Sequence, residues 1–237
     1  QWAVSSEQWA VSSEQWAVGR RGVISVGVAP LLLSLRNAYI CLSKLFSMTV
    51  QLKRRLITVE EYHKMGEVGI LQESGIELIN GEIIEMSPIG SKHAATVDKI
   101  SSLLTIQLEG KAIVRVQNPV VISAFSEPEP DISIVKYRND FYTNQLPNAE
   151  DALLIIEVAD TSIEYDREVK LPIYAEAGIP EYWLIDLAGR QVEAYSEPSG
   201  KLYKLRRLVS AEDELIAEAL ELKLPVRTIF EHIWSLC

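Results

Sequence analysis

The sequence predicts a mixed α/β (α+β) fold, a mixed β-sheet flanked by helices. Three observations predict it. Helix signals cluster early in the ordered part of the chain and strand signals dominate later, the pattern of a sheet with helices packed on it. Leu153-Leu-Ile-Ile-Glu-Val-Ala-Asp160 has the near-continuous apolar character of a strand buried on both faces. Asn80-Gly81, set between apolar runs, supplies both positive-φ positions of a tight hairpin turn. A length of 237 residues allows one such domain with an appendage.

The appendage comes first. Residues 1–18 read Gln-Trp-Ala-Val-Ser-Ser-Glu, repeated once and begun again at Gln15. A heptad repeat suggests a coiled coil, but two and a half heptads are too few and the Ser-Ser pairs disfavour helix. Gly19-Arg-Arg-Gly22 and the apolar run after it resemble an export signal. That run is broken by Pro30, is too short to span a bilayer, and is followed by no small-residue cleavage site. The preferred reading is a low-complexity extension over residues 1–47, upstream sequence outside the native protein or a disordered tail, with the domain occupying 48–237 from Met48.

From there the elements follow in order. Thr58-Val-Glu-Glu61 is a capping box that opens a short helix through Met65. Ile76 to Met86 is the hairpin. Ser91 is the expected cap of a helix that lines up His93, Val97, Ile100 and Leu104 on one face. Ala112 to Ser123 reads as a strand bent near Pro119, Asp131 to Tyr137 as the next, and Arg138 to Asp151 as a surface loop. After the central strand, Pro172 requires that the lysine-bearing helix either kink or start near Val169. Lys170, Ile173, Tyr174 and Ala177 form its stripe and Gly178 its terminator. Glu181 to Asp186, Gln191 to Tyr195 and Lys201 to Val209 are strands, with a turn over Ser196 to Gly200, and Val226 to Trp234 is a short terminal helix.

Apolar residues at 48% and charged residues at 24% argue against wholesale disorder and against a multispanning membrane protein. Cys41 and Cys237 offer neither a disulfide framework nor a metal knuckle, which favours a reducing cytoplasmic setting. The net charge is −10. Outside residues 1–47 there are 19 basic against 31 acidic side chains, a balance that weighs against tight, sequence-independent binding of a polyanion.

Glu157 stands in the middle of the apolar central strand, where packing gives no reason for an ionisable group unless a cation pairs with it. Glu127-Pro-Glu-Pro-Asp131 places Asp131 at the mouth of another strand, and Tyr165-Asp-Arg-Glu-Val-Lys170 places a lysine on the next segment. Two carboxylates and a lysine converging at strand ends are the parts of a metal-dependent phosphodiester-cleaving site. Each has a bland alternative. Asp131 is equally a residue starting a strand after a Pro-rich turn, Glu157 a strand-end carboxylate reaching water, Lys170 a solvated helix lysine, and Asp166 its partner one turn away. His93 is as readily a satisfied core histidine as a proton shuttle. Trp183 and Tyr182 read as core. The basic clusters Lys53-Arg54-Arg55 and Lys201, Lys204, Arg206, Arg207 read as solvated faces before nucleic-acid contacts.

Pro130-Asp131, Glu157 and the run Asp166-x-x-x-Lys170-x-x-x-Tyr174-x-x-x-Gly178-Ile-Pro-Glu-Tyr-Trp183-Leu-Ile-Asp186 resemble the Uma-type family of bacterial putative restriction endonucleases, within the PD-(D/E)XK nuclease superfamily. The resemblance runs from Leu56 to the C-terminus. It implies a restriction-endonuclease-like fold and a metal-dependent endonuclease hydrolysing phosphodiester bonds of nucleic acid, DNA before RNA. Asp131 and Glu157 are then metal ligands for Mg²⁺ or Mn²⁺, with Lys170 as the third catalytic residue and Glu77, His93 and Asp166 auxiliary. In the superfamily pattern the lysine lies two residues beyond the acid, and here that position is Ala159, so the resemblance puts the lysine on the helix. A homodimer is allowed for and no membrane partner is expected. The competing class is a catalytically inactive protein of the same fold, a binding module or mobile-element relic.

Overall fold

A six-stranded sheet carries the candidate site. The computed structural model describes residues 54–231. The extension expected over residues 1–47, both cysteines and residues 232–234 of the expected terminal helix lie outside them. Helix α1 (Val59–Glu67) opens with the expected capping box: Thr58 Oγ1 accepts from the Glu61 N–H, and the Glu61 carboxylate accepts from the Thr58 N–H. Strands β1 (Ile76–Ile79) and β2 (Glu82–Glu85) form the expected hairpin, with Asn80 at φ 50 and Gly81 at φ 77. Helix α2 (Ser91–Gln107) follows. Its cap is Gly90, which takes the extended conformation one residue early, so Ser91 is already helical and its side chain caps nothing.

The large sheet comprises β3 (Ala112–Val116), β4 (Ile132–Lys136), β5 (Ala152–Ala159), β6 (Glu181–Asp186), β7 (Gln191–Ser199) and β8 (Leu202–Val209), hydrogen-bonded in that order. All neighbours are antiparallel except β5 and β6, which are parallel. A parallel pair needs a crossover, and the segment between them supplies it. It comprises helix α3 (Ile163–Tyr165), a π-helical turn (Asp166–Lys170) and helix α4 (Leu171–Glu176). The π turn answers the question posed by Pro172. Proline has no N–H to return to residue 168, and the Leu171 N–H instead reaches the Asp166 carbonyl, five residues back.

Two expected strands have different limits. β3 ends at Val116, because beyond it the chain pairs only through isolated bridges at Val121 and Ser123. β7 runs on to Ser199, so the turn is confined to Gly200 and Lys201. The sequence reading also missed a second hairpin, β9 (Glu214–Ala217) with β10 (Leu222–Pro225), which leads into helix α5 (Val226–Phe230). Four-residue strands around a 3₁₀ turn carry too little periodicity to stand out.

The sheet buries both faces. Ile132, Ile134, Leu154, Ile156, Val158, Trp183 and Ile185 pack against α2 and the β9–β10 hairpin. On the opposite face Ile155, Tyr182, Leu184 and Tyr195 meet α4 through Ile173, Tyr174 and Ala175. Glu157 is on this second face, beneath the crossover. Among the described residues no helix is long and apolar enough to cross a membrane.

Candidate active site

Asp131 immediately precedes β4, and β4 lies beside β5, so strand pairing alone brings Asp131 against Glu157. The two are cross-linked through the backbone. The Asp131 N–H donates to Glu157 Oε2 at 3.2 Å, and the Val158 N–H donates to Asp131 Oδ2 at 2.9 Å. These bonds fix both carboxylates at the C-terminal end of β5.

The crossover adds the lysine. Lys170 Nζ donates to Glu157 Oε1 at 3.1 Å, and the Tyr174 hydroxyl donates to the same oxygen at 2.7 Å. Lys170 and Tyr174 lie four residues apart at the junction of the π turn and α4 and reach the same carboxylate oxygen. The first hairpin supplies a further carboxylate: Glu77 Oε2 lies 3.3 Å from Lys170 Nζ and accepts from the Glu129 N–H at 3.2 Å. The Tyr165 hydroxyl donates to Glu77 Oε1 at 3.2 Å. His93, in the first turn of α2, has Nε2 2.9 Å from Asp131 Oδ2, while its Nδ1 is buried with no hydrogen-bond partner among the described residues. Asp166 is buried near the cluster, and its carboxylate accepts from Ser162 at 2.6 Å, so the bland alternative of a hydrogen-bonded pair with Lys170 does not describe it.

The structure therefore brings Asp131, Glu157, Lys170, Glu77 and His93 into one hydrogen-bonded assembly, with Asp166 beside it. Glu157 is only 2% exposed, so the bland alternative of a carboxylate reaching water does not describe it. The Lys170 alternative fails likewise, because the lysine is buried. Trp183 and Tyr182 are core, as expected. Sequence reasoning gave no role to Tyr174 and Tyr165 or to Gln117, whose side-chain amide lies 3.5 Å from Asp131 Oδ1. The only available signal was the four-residue spacing of Lys170 and Tyr174.

Burial and charge pull against each other here. Burial pushes the Glu157 carboxyl up to about 8, against the opposing pull of Lys170, and Asp131, Asp166 and Glu77 add to the rise. Burial disfavours the Lys170 ammonium, but Glu157, Glu77 and Asp166 outweigh it and hold the proton on firmly. Lys170 therefore keeps its proton, and burial with the surrounding carboxylates favours the protonated form of Glu157. The hydrogen bond to Asp131 raises His93 above its ordinary value despite partial burial.

Among the described residues no three His, Cys, Asp or Glu side chains form a metal cage of their own. Mg²⁺ does not require one, since it takes one or two carboxylates and completes its shell with water and substrate oxygens. The donor set fits that requirement. Asp131 Oδ2 is occupied by two donors, whereas Oδ1 meets only the long contact from Gln117, and the side chain retains 14% exposure.

The model of one family, Uma2, described as putative restriction endonuclease, matches residues 59–227. The chain belongs to the Uma2 family. Its structural likeness agrees. A crystal structure of a putative nuclease belonging to DUF820 from Anabaena variabilis aligns with this Uma2 chain at a TM-score of 0.58 and 19% identity. The alignment covers 73% of this chain and 97% of that one, and it supports a nuclease-like fold. No curated protein matches the chain. The matched Uma2 segment contains Glu77, His93, Asp131, Glu157, Asp166 and Lys170, and it begins beyond the extension expected over residues 1–47.

Proposed function

We propose that the protein is a Mg²⁺- or Mn²⁺-dependent endonuclease that hydrolyses phosphodiester bonds of nucleic acid, with DNA as the substrate. The observation that carries the proposal is the reciprocal link between Asp131 and Glu157, in which each carboxylate accepts a backbone N–H from the other's strand while a buried lysine contacts one of them. Asp131 and Glu157 would hold the metal, which when bound supplies Lewis acidity toward a phosphoryl oxygen and lowers the pKa of water. The chain's own residues prepare that chemistry. The Asp131 and Val158 N–H groups hold the carboxylates so that they need not reorganise on binding. His93 fixes Asp131 at Oδ2 and leaves Oδ1 for a ligand. Lys170 keeps a positive charge at the floor of the site, where it stabilises negative charge developing on a phosphate. Glu77 and the Tyr174 hydroxyl hold Lys170 and Glu157 in place.

The second reading, an inactive nuclease fold used for binding, is favoured by the enclosure of Lys170 between two carboxylates and by Ala159 at the superfamily's lysine position. The test is conversion of supercoiled plasmid, and in parallel of labelled RNA, by the purified full chain. The expected result is plasmid nicking that requires Mg²⁺ or Mn²⁺, stops with chelator, and is lost in a folded Asp131→Ala variant. Nicking that persists in that variant, or binding without cleavage at any divalent concentration, supports the second reading.

A further inference from the structure

A chain with net charge −10 that acts on a polyanion needs a local place to hold it. We propose that Arg167 and Arg206, joined through the buried carboxylate of Glu193, form a phosphate-binding site for the nucleic-acid backbone beside the cleavage centre. The inference rests on the nuclease reading and deepens it.

Glu193 lies on β7 with its side chain 1% exposed. Its Oε1 accepts from Arg167 Nη2 at 2.5 Å. Its Oε2 accepts from Arg206 Nε at 3.1 Å, has Arg206 Nη2 at 3.0 Å, and also takes the Tyr195 hydroxyl. One carboxylate thus fixes two guanidinium groups from different elements, the π turn and the edge strand β8, and leaves a local charge of one positive unit. The carboxylate engages one nitrogen of Arg167 and two of Arg206, and each guanidinium has five N–H donors in a plane. Arg167 uses its Nη2 on Glu193 and Arg206 its Nε and Nη2, so each keeps its Nη1, and the side chains remain 38% and 54% exposed. Arg167 Nε is buried with no hydrogen-bond partner among the described residues. The Arg206 guanidinium lies over the Tyr195 ring at 5.9 Å, which further restricts its orientation. Planar donors held in fixed positions suit bidentate recognition of phosphate oxygens.

The register places this pair relative to the cleavage centre. Glu157, Leu184 and Glu193 are successive cross-strand partners on β5, β6 and β7, and therefore share a sheet face. Two strand spacings separate Glu193 from Glu157 by roughly 10 Å. Along one nucleic-acid strand that is about three nucleotide steps of rise. Arg167 is three residues before Lys170, on the same π turn. Several other bases each have one acidic partner: Arg54 with Glu82, Arg55 with Glu61, Lys64 with Glu60, and Arg138 with Asp140. At Glu193, one acid serves two bases. Arg207, the next residue on β8, pairs in register with Ala194 and belongs to the opposite face of the sheet.

That neighbour provides the control. Binding of a short fluorescein-labelled DNA duplex is followed by anisotropy in chelator, where no cleavage occurs, across a salt series. Arg206→Gln is expected to weaken binding about 3- to 10-fold and to reduce the slope of log affinity against log salt by about 0.9, the loss of one phosphate contact. Arg207→Gln removes the same unit charge and should leave the slope unchanged. Arg206→Lys keeps the charge without the planar fork, so it should retain the slope with intermediate affinity, and it serves if the glutamine variant does not fold. Wild type that binds with slopes equal for Arg206→Gln and Arg207→Gln overturns the site and leaves the nuclease reading standing. Wild type that binds neither DNA nor an RNA of the same length removes both.

Discussion

Replacing Lys170 with methionine removes the one ammonium that faces Glu157 at 3.1 Å and Glu77 at 3.3 Å, with Asp166 also in its field. Both directly paired carboxylates are buried, so once Glu157 is ionised the substitution breaks two buried pairs at once and leaves uncompensated negative charge. Breaking a buried pair by removing one partner costs about 3–5 kcal/mol. In a domain of this size that lowers the melting temperature by roughly 6–20 °C. The pH dependence is more diagnostic than the size. Burial holds the Glu157 carboxyl at about 8, far above its ordinary value of 4.5. A raised acid pKa gives a stability contribution that is fully present below about 4.5 and lost as pH rises through 8. Lys170 opposes that rise, so its loss pushes Glu157 higher still and extends the fall to higher pH at the same slope. The deficit of Lys170→Met should therefore be small at pH 5.5, where protonation relieves the repulsion, and largest at pH 8.5. Urea or thermal melts of both proteins in chelator at three pH values measure it. An equal deficit at every pH, or none, would refute the view that the ammonium compensates the carboxylate cluster.

Glu157→Gln should be milder than Lys170→Met because Glu77 remains to hold the lysine. The expected cost is about 1–3 kcal/mol, from an amide nitrogen meeting the Asp131 N–H in place of an acceptor, and Mg²⁺ affinity by calorimetry should fall at least about tenfold. Burial raises Glu181 on β6 to about 7, with Trp183 and Arg207 opposing. Its contribution is thus present below about 4.5 and lost as pH rises through 7, so Glu181→Gln should flatten the stability profile in that window, read from denaturant melts. At Gly81 a Cβ would lie 2.6 Å from Leu56 Cβ on a backbone of φ +77, so Gly81→Ala should destabilise by more than about 1 kcal/mol in the same melts.

The fold was legible in the sequence wherever one signal sufficed. The Thr58 capping box, the Asn80-Gly81 turn and the apolar run of β5 each declare themselves within a few residues. The candidate site was legible because a glutamate in a doubly buried strand has few explanations. What it touches was less legible. The pairing of Lys170 with Glu77 depends on where the first hairpin docks, and that is set by the Leu78–Glu127 bridge between segments with no local signal for each other. Glu193 looked like an ordinary polar residue in an alternating strand. Its partners Arg167 and Arg206 reach it from elements distant in sequence. The π turn was half visible: Pro172 required an irregularity, but only the packed crossover selects which one.

The order in which the assembly's charges meet along the chain bears on how the protein folds. Lys170 and Tyr174 are 13 and 17 residues from Glu157, whereas Glu77 is 80 residues away. Loop closure is cheaper for the shorter separations. A chain that has formed β5 and the crossover already holds its lysine against a carboxylate before the first hairpin docks. The late-arriving Glu77 thus adds negative charge to a compensated pair, and its docking draws on hydrogen bonds from Tyr165 and the Glu129 N–H as well as on the ammonium. The docking of the hairpin is therefore the step that sets a second carboxylate against Lys170 and completes the assembly.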